Sequence, residues 1–184
     1  PDDGKVNFGD CQLRTYRLAV AATGEYTAWA GNQTNALTYI TISVNNVIAI
    51  YQKEVAITFT LVSNNSIIFP NAATDGWDPG GSPTNEDLDD TDSTIAANLT
   101  VGGFDIGVLF HFGYNGGRAQ LQSVCGTNAK GRSVAGLTFG VGANPADGPQ
   151  GPIFDVTVAH EMAHQFGATH TFMASNGGCL GNPT

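Results

Sequence analysis

The chain has 184 residues, close to one domain at ~150 residues each, and 41% of them are hydrophobic, enough to bury a sizeable core. Seven Lys and Arg against sixteen Asp and Glu give a formal charge of -9, which argues against nucleic acid and anionic membranes as partners. No apolar run approaches the ~18 residues of a membrane span, and the 12% of charged residues is about half the usual share, a composition that suits an extracellular protein.

Residues 13–22 (LRTYRLAVAA) alternate and are rich in β-formers, so they predict a first strand. Residues 24–32 read as a connector. Residues 34–51 place Leu37, Ile40, Ile42, Val44, Val47, Ile48 and Tyr51 near helical spacing, a long buried helix capped by Thr34 or Asn35. Residues 55–62 predict a second strand, and the Pro-, Gly- and Asn-rich stretch 64–84 a long loop. A second helix with an acidic face follows at 85–99. The apolar run 104–110 (FDIGVLF) predicts a buried strand. Residues 118–124 predict a short edge strand and 134–139 another strand. Residues 143–152 form a turn-rich loop, and a helix spans 155–166 with Gly167 just past its end.

His160-Glu161-Met162-Ala163-His164 lies on that last helix. Residues four apart on a helix stack nearly above one another, so the two imidazoles meet at a spacing that suits one Zn²⁺. Glu161 sits at the edge of the same face, where its carboxylate reaches a metal-bound water rather than the metal, as a general base must. Gly167 allows the helix to end sharply, and His170 is then placed to supply a third nitrogen. Three protein ligands leave the fourth position open, the catalytic kind of zinc site.

Lesser features have plainer readings. Seven acids fall within residues 75–92 (Asp75, Asp78, Glu86, Asp87, Asp89, Asp90 and Asp92), which suggests either a Ca²⁺ site or a solvated acidic helix start; the second is favoured. His111 reads as a strand-end residue with a hydrogen bond, and Asp155 as a helix cap rather than a partner of a zinc ligand. Trp29 and Trp77 read as anchors in connectors. Cys11, Cys125 and Cys179 are an odd number, read as one disulfide plus one leftover, with all three pairings open and three free thiols as the alternative. The start at Pro1-Asp2-Asp3-Gly4 reads as a mature segment that has lost its leader, or as a fragment.

HEMAHQFGATH fits the HExxHxxGxxH signature, and in this the chain resembles the metzincin zinc endopeptidases. LRTYRLAVAATGEYT, FDIGVLF, and the spaced Gly117, Ala119 and Cys125 are similar to segments of the reprolysin/adamalysin-like branch, especially its secreted bacterial members. The resemblance runs from about Leu13 to His170. It implies an α/β fold: a twisted, five-stranded, mostly parallel sheet with one antiparallel edge strand, two backing helices and an active-site helix. It implies that residues 118–122 are the edge above the cleft, where a polypeptide substrate adds as a further strand against Arg118, Ala119, Gln120 and Leu121. It also implies that Glu161 takes a proton from the zinc-bound water and passes it to the leaving amine.

One departure stands out. The family's Met-containing turn lies downstream of the third histidine, but Met173 follows His170 too soon, and the chain ends at Thr184. The expectation is therefore a catalytic domain over residues 1–184, with an upper subdomain through about residue 167 and a truncated start of the lower one at 168–184. A second chain carrying the remainder, or the loss of a partner for Cys179, would follow from that truncation. The function expected is a secreted zinc endopeptidase. The rivals are a hydrolase of other amides or esters, and a zinc-binding or protein-binding fragment that turns nothing over.

Overall fold

A computed structural model of the chain describes residues 12–137 and 151–170. Cys11, Phe139, Met173, Cys179 and most of the loop expected at 143–152 lie outside them. Five strands form one sheet: β1 (Arg14–Ala22), β2 (Ile57–Leu61), β3 (Ile106–Phe112), β4 (Gly116–Ala119) and β5 (Ser133–Leu137). Their spatial order is β2-β1-β3-β5-β4. All pairs are parallel except β4 with β5, where Gly117 faces Ala135 and Arg118 faces Val134.

Alternation along the strands divides the core in two. Leu18, Val20 and Ala22 of β1, with Ile106, Val108 and Phe110 of β3, point to one face. Ala19, Ala21 and Leu109 point to the other. On the first face lie α1 (Gly24–Ala30), α2 (Gln33–Val55) and α4 (Pro152–Gln165). On the second lies α3 (Asn85–Leu99), through Leu88 and Ile95. Parallel strands buried on both faces explain why β3 reads as an almost unbroken apolar run.

The helix ends follow local chemistry. Asn32, not Thr34 or Asn35, caps α2 by accepting the Asn35 amide at 2.9 Å. The spacing of Ile40, Val44, Val47 and Tyr51 outweighs the β-branched content of α2, because that stripe is what the sheet buries. Thr84 and Asp87 cap α3 reciprocally. The expected connector at 24–32 is in fact α1, started by Thr23 and ended by Gly31 at φ 90°. Trp29 therefore sits on a helix, packed 5.0 Å from Tyr39, while Trp77 does anchor a loop, against Phe69.

The edge strand differs from expectation at both ends. It starts two residues early, because Gly116 at φ 85° turns the chain onto β5. It stops at Ala119, although the Gln120 amide still donates to the Arg132 carbonyl at 2.9 Å. Left-handed turns at Gln122 (φ 55°) and Cys125 (φ 60°) then bend the chain away. Cys125 is an exposed free thiol, so no disulfide occurs among the described residues. Among those residues, too, no helix is long and apolar enough to cross a membrane.

Candidate active site

The site is built on α4, and three neighbours hold that helix in place. Asp155 does not cap it: Gly151 stands at the cap, and the buried Asp155 carboxylate accepts from Ser43 and, at 2.8 Å, from Asn46, both on α2. Tyr51 of α2 donates its hydroxyl to the Ala159 carbonyl at 2.8 Å. Gln165 donates to the Lys130 carbonyl at 3.0 Å, tying the helix to the segment that leads into β5. Phe154, Val158 and Met162 are fully buried below the sheet.

With that face committed to the core, His160 and His164 emerge on the open side one turn apart. The helix ends as the glycine predicts. Gly167 takes φ 100°, its amide donates to the His164 carbonyl at 2.8 Å, and the Ala168 amide donates to the Ala163 carbonyl at 3.0 Å. The chain turns back and delivers His170. Its Nε2 lies 3.0 Å from Nε2 of His160 and 3.1 Å from that of His164, and the last two are 3.0 Å apart.

Three ring nitrogens at the corners of a near-equilateral triangle form the one group of acids, cysteines or histidines among the described residues that is placed to hold a metal ion. Three imidazole nitrogens at that spacing suit a single Zn²⁺, which His160, His164 and His170 would hold. The tautomer agrees. His164 Nδ1 lies 2.7 Å from the Ala168 carbonyl, which can only accept, so Nδ1 carries the proton and Nε2 offers its lone pair. Burial first, then the neighbouring His164 and His170, hold His160 below its ordinary value, in the neutral form that a metal requires.

Glu161, next in sequence to His160, is buried against Gly117 of the edge strand. Burial pushes its carboxyl up to about 7, against the pull of the Arg118 charge. Arg118 and Ala119 lie on β4, with the Arg118 guanidinium donating to Asn85 at 2.8 Å. Gln120 continues the pairing by its amide alone, and Leu121 is an exposed turn residue beyond the strand. The turn that follows is bound to the end of α4: the Gln122 amide donates to the His164 carbonyl at 3.2 Å and the Ser123 amide to the Gln165 carbonyl at 2.9 Å.

The acids of residues 75–92 do not gather around a cation. Asp75 accepts the Gly24 and Trp77 amides, Asp87 accepts from Thr84 and Tyr114, Asp89 pairs with Arg132, and Asp92 accepts the Ala129 and Gly131 amides. These four carboxylates are taken up by protein donors, and none of the seven acids belongs to a metal-binding group among the described residues, which leaves calcium without support. His111 is fully buried at the end of β3, 2.9 Å from the Asp78 carbonyl and stacked on Tyr114. It is a structural histidine, as its sequence context suggests.

The family model for reprolysin-like metallopeptidases of family M12B matches residues 12–182. No curated protein matches the sequence. The match spans nearly all of the chain and includes the segment that builds the three-histidine site, so the chain belongs to the reprolysin-like metallopeptidases of family M12B.

Proposed function

We propose that the chain is a zinc-dependent endopeptidase in which His160, His164 and His170 hold the metal and Glu161 is the general base. The observation that carries this reading is the convergence of three Nε2 atoms, 3.0–3.1 Å apart, on the open face of α4, next to a buried carboxylate. A bound zinc ion supplies an acidified water and a polarised carbonyl. Glu161 takes the proton from the attacking water at its carboxylate. It then delivers that proton to the amine nitrogen as the C–N bond breaks, so the proton count closes.

The outer edge of β4 is where the peptide would lie. Its backbone would continue the sheet along Arg118 and Ala119, with Gln120 and Leu121 bordering the strand's end. Residues up to about 167 would form the upper part of the catalytic domain, and 168–184 the start of the lower part. The low charge content fits secretion.

The experiment is cleavage of a disordered protein by the 184-residue chain, with and without a zinc chelator, beside Glu161→Ala. Chelator-sensitive cleavage and a loss of ~10²-fold or more in the variant, with zinc still bound, are expected. A variant that cuts as well as its parent would remove Glu161 from the mechanism. Zinc binding at one ion per chain without cleavage would instead favour a zinc-binding fragment.

A further inference from the structure

The edge strand and the active-site helix meet at one point where no side chain fits. A β-carbon built on Gly117 would lie 2.4 Å from Cγ of Glu161 and 2.7 Å from both Cδ and Oε1. Such contacts are far inside van der Waals range. Backbone conformation does not explain the glycine. Gly116, beside it, has φ 85° and open space around it, whereas Gly117 is free of left-handed φ and is crowded. On the neighbouring strand the residue facing Gly117 is Ala135, which is fully buried, so β4 cannot slide inward to make room. Nor can the clash be relieved by turning the carboxylate alone. Cγ is one bond from the Cβ fixed by the helix, so either χ1 changes or α4 moves.

We infer that Gly117 is a positioning residue. Its missing side chain is the slot that seats Glu161 beneath the edge strand, beside the three-histidine site. The inference rests on the reading of Glu161 as the general base. A methyl group in the slot pushes the carboxylate out of line and leaves the β4 amide and carbonyl, which face the substrate, unchanged. The cost therefore falls on turnover rather than on binding.

The test is a double-mutant cycle on the 184-residue chain, read by thermal melting, zinc stoichiometry and steady-state cleavage. Gly117→Ala is expected to lower Tm by roughly 3–10 °C, the usual range for one overpacked methyl in a chain of this size. The drop should persist in a Glu161→Gln background, which keeps the side chain's shape. It should vanish in Glu161→Ala, which empties the slot. In the Glu161 parent, Gly117→Ala should keep one zinc per chain and lower kcat by ~10–100-fold, with KM within about threefold. An equal loss of Tm in all three backgrounds would overturn the inference, as would an unchanged kcat in a parent that cleaves. If the parent cleaves nothing, the proposed function fails, while the melting cycle still decides whether Gly117 seats Glu161.

Discussion

Arg118 puts a positive charge on the strand that would receive the peptide, in a chain whose formal charge is -9. Asn85 fixes one end of its guanidinium. Peptides carrying Asp or Glu beside that strand should be cut faster than neutral ones by about two- to fivefold, the worth of an exposed ion pair. Arg118→Glu should reverse the preference, and raised salt should erase it; a matched peptide series reads both. At this scale much was legible in advance. The spacing predicts that His160, His164 and His170 meet, and their ring nitrogens do lie together, because a helix turn and a glycine stop leave little freedom over eleven residues. Asp155 was misread, since its position one turn into a helix looks like capping. Its partners, Ser43 and Asn46, are more than a hundred residues away in sequence. Gly117 could not be read as a slot for Glu161 at all, because nothing local marks a contact across 44 positions.

At the scale of elements, α4 is held by partners remote in sequence. Asp155→Ala should leave the Ser43 hydroxyl and Asn46 amide without their acceptor and cost about 1–3 kcal/mol. That corresponds to a Tm roughly 2–10 °C lower, measurable by calorimetry. An unchanged Tm would mean that Tyr51 and the apolar face suffice to hold the helix. The long elements were predictable because periodicity accumulates over many residues, as α2 and α3 show. The seven-residue α1 was missed: it is too short to show a stripe, although Thr23 and Gly31 are ordinary start and stop signals. The edge strand was placed two residues late because glycines read as a turn, and here Gly116 and Gly117 are already paired with β5.

Across the whole molecule, acid should remove two contributions to stability in two stages, while Glu161, which burial pushes up to about 7, works in the opposite sense because its folded form takes up a proton first as pH falls. His111 is buried, and burial holds it below its ordinary 6.5 despite the Asp78 carbonyl and the charges of Asp75 and Asp87; Glu25 stands 3.9 Å away. Below about pH 6.5 the unfolded chain takes up a proton that the folded chain refuses, so stability present above that pH declines as pH falls. Asp87 and Asp105 contribute the second stage. Burial pushes Asp87 up, but hydrogen bonds from Tyr114 and Thr84 outweigh it and hold the carboxyl low. The hydrogen bond from Arg17 does the same for Asp105. Their contributions are present above the ordinary 3.8 and are lost as pH drops below it. Denaturant midpoints followed from pH 8 to 3 should show the parent losing more stability than His111→Gln below about pH 6.5, and both chains losing stability as pH drops below 3.8. The mostly parallel five-stranded sheet with one antiparallel edge follows from the family resemblance, and the alternation of strand and helix patterns along the chain agrees with it.

The turn after the edge strand carries a last consequence. Gln122 and Ser123 bind its backbone to the final carbonyls of α4, so the edge strand and the active-site helix are riveted together at one end. The strand and the helix cannot part there without breaking these two hydrogen bonds. Amide exchange at Gln122 and Ser123 should accordingly be slow, and equally slow with and without a bound peptide.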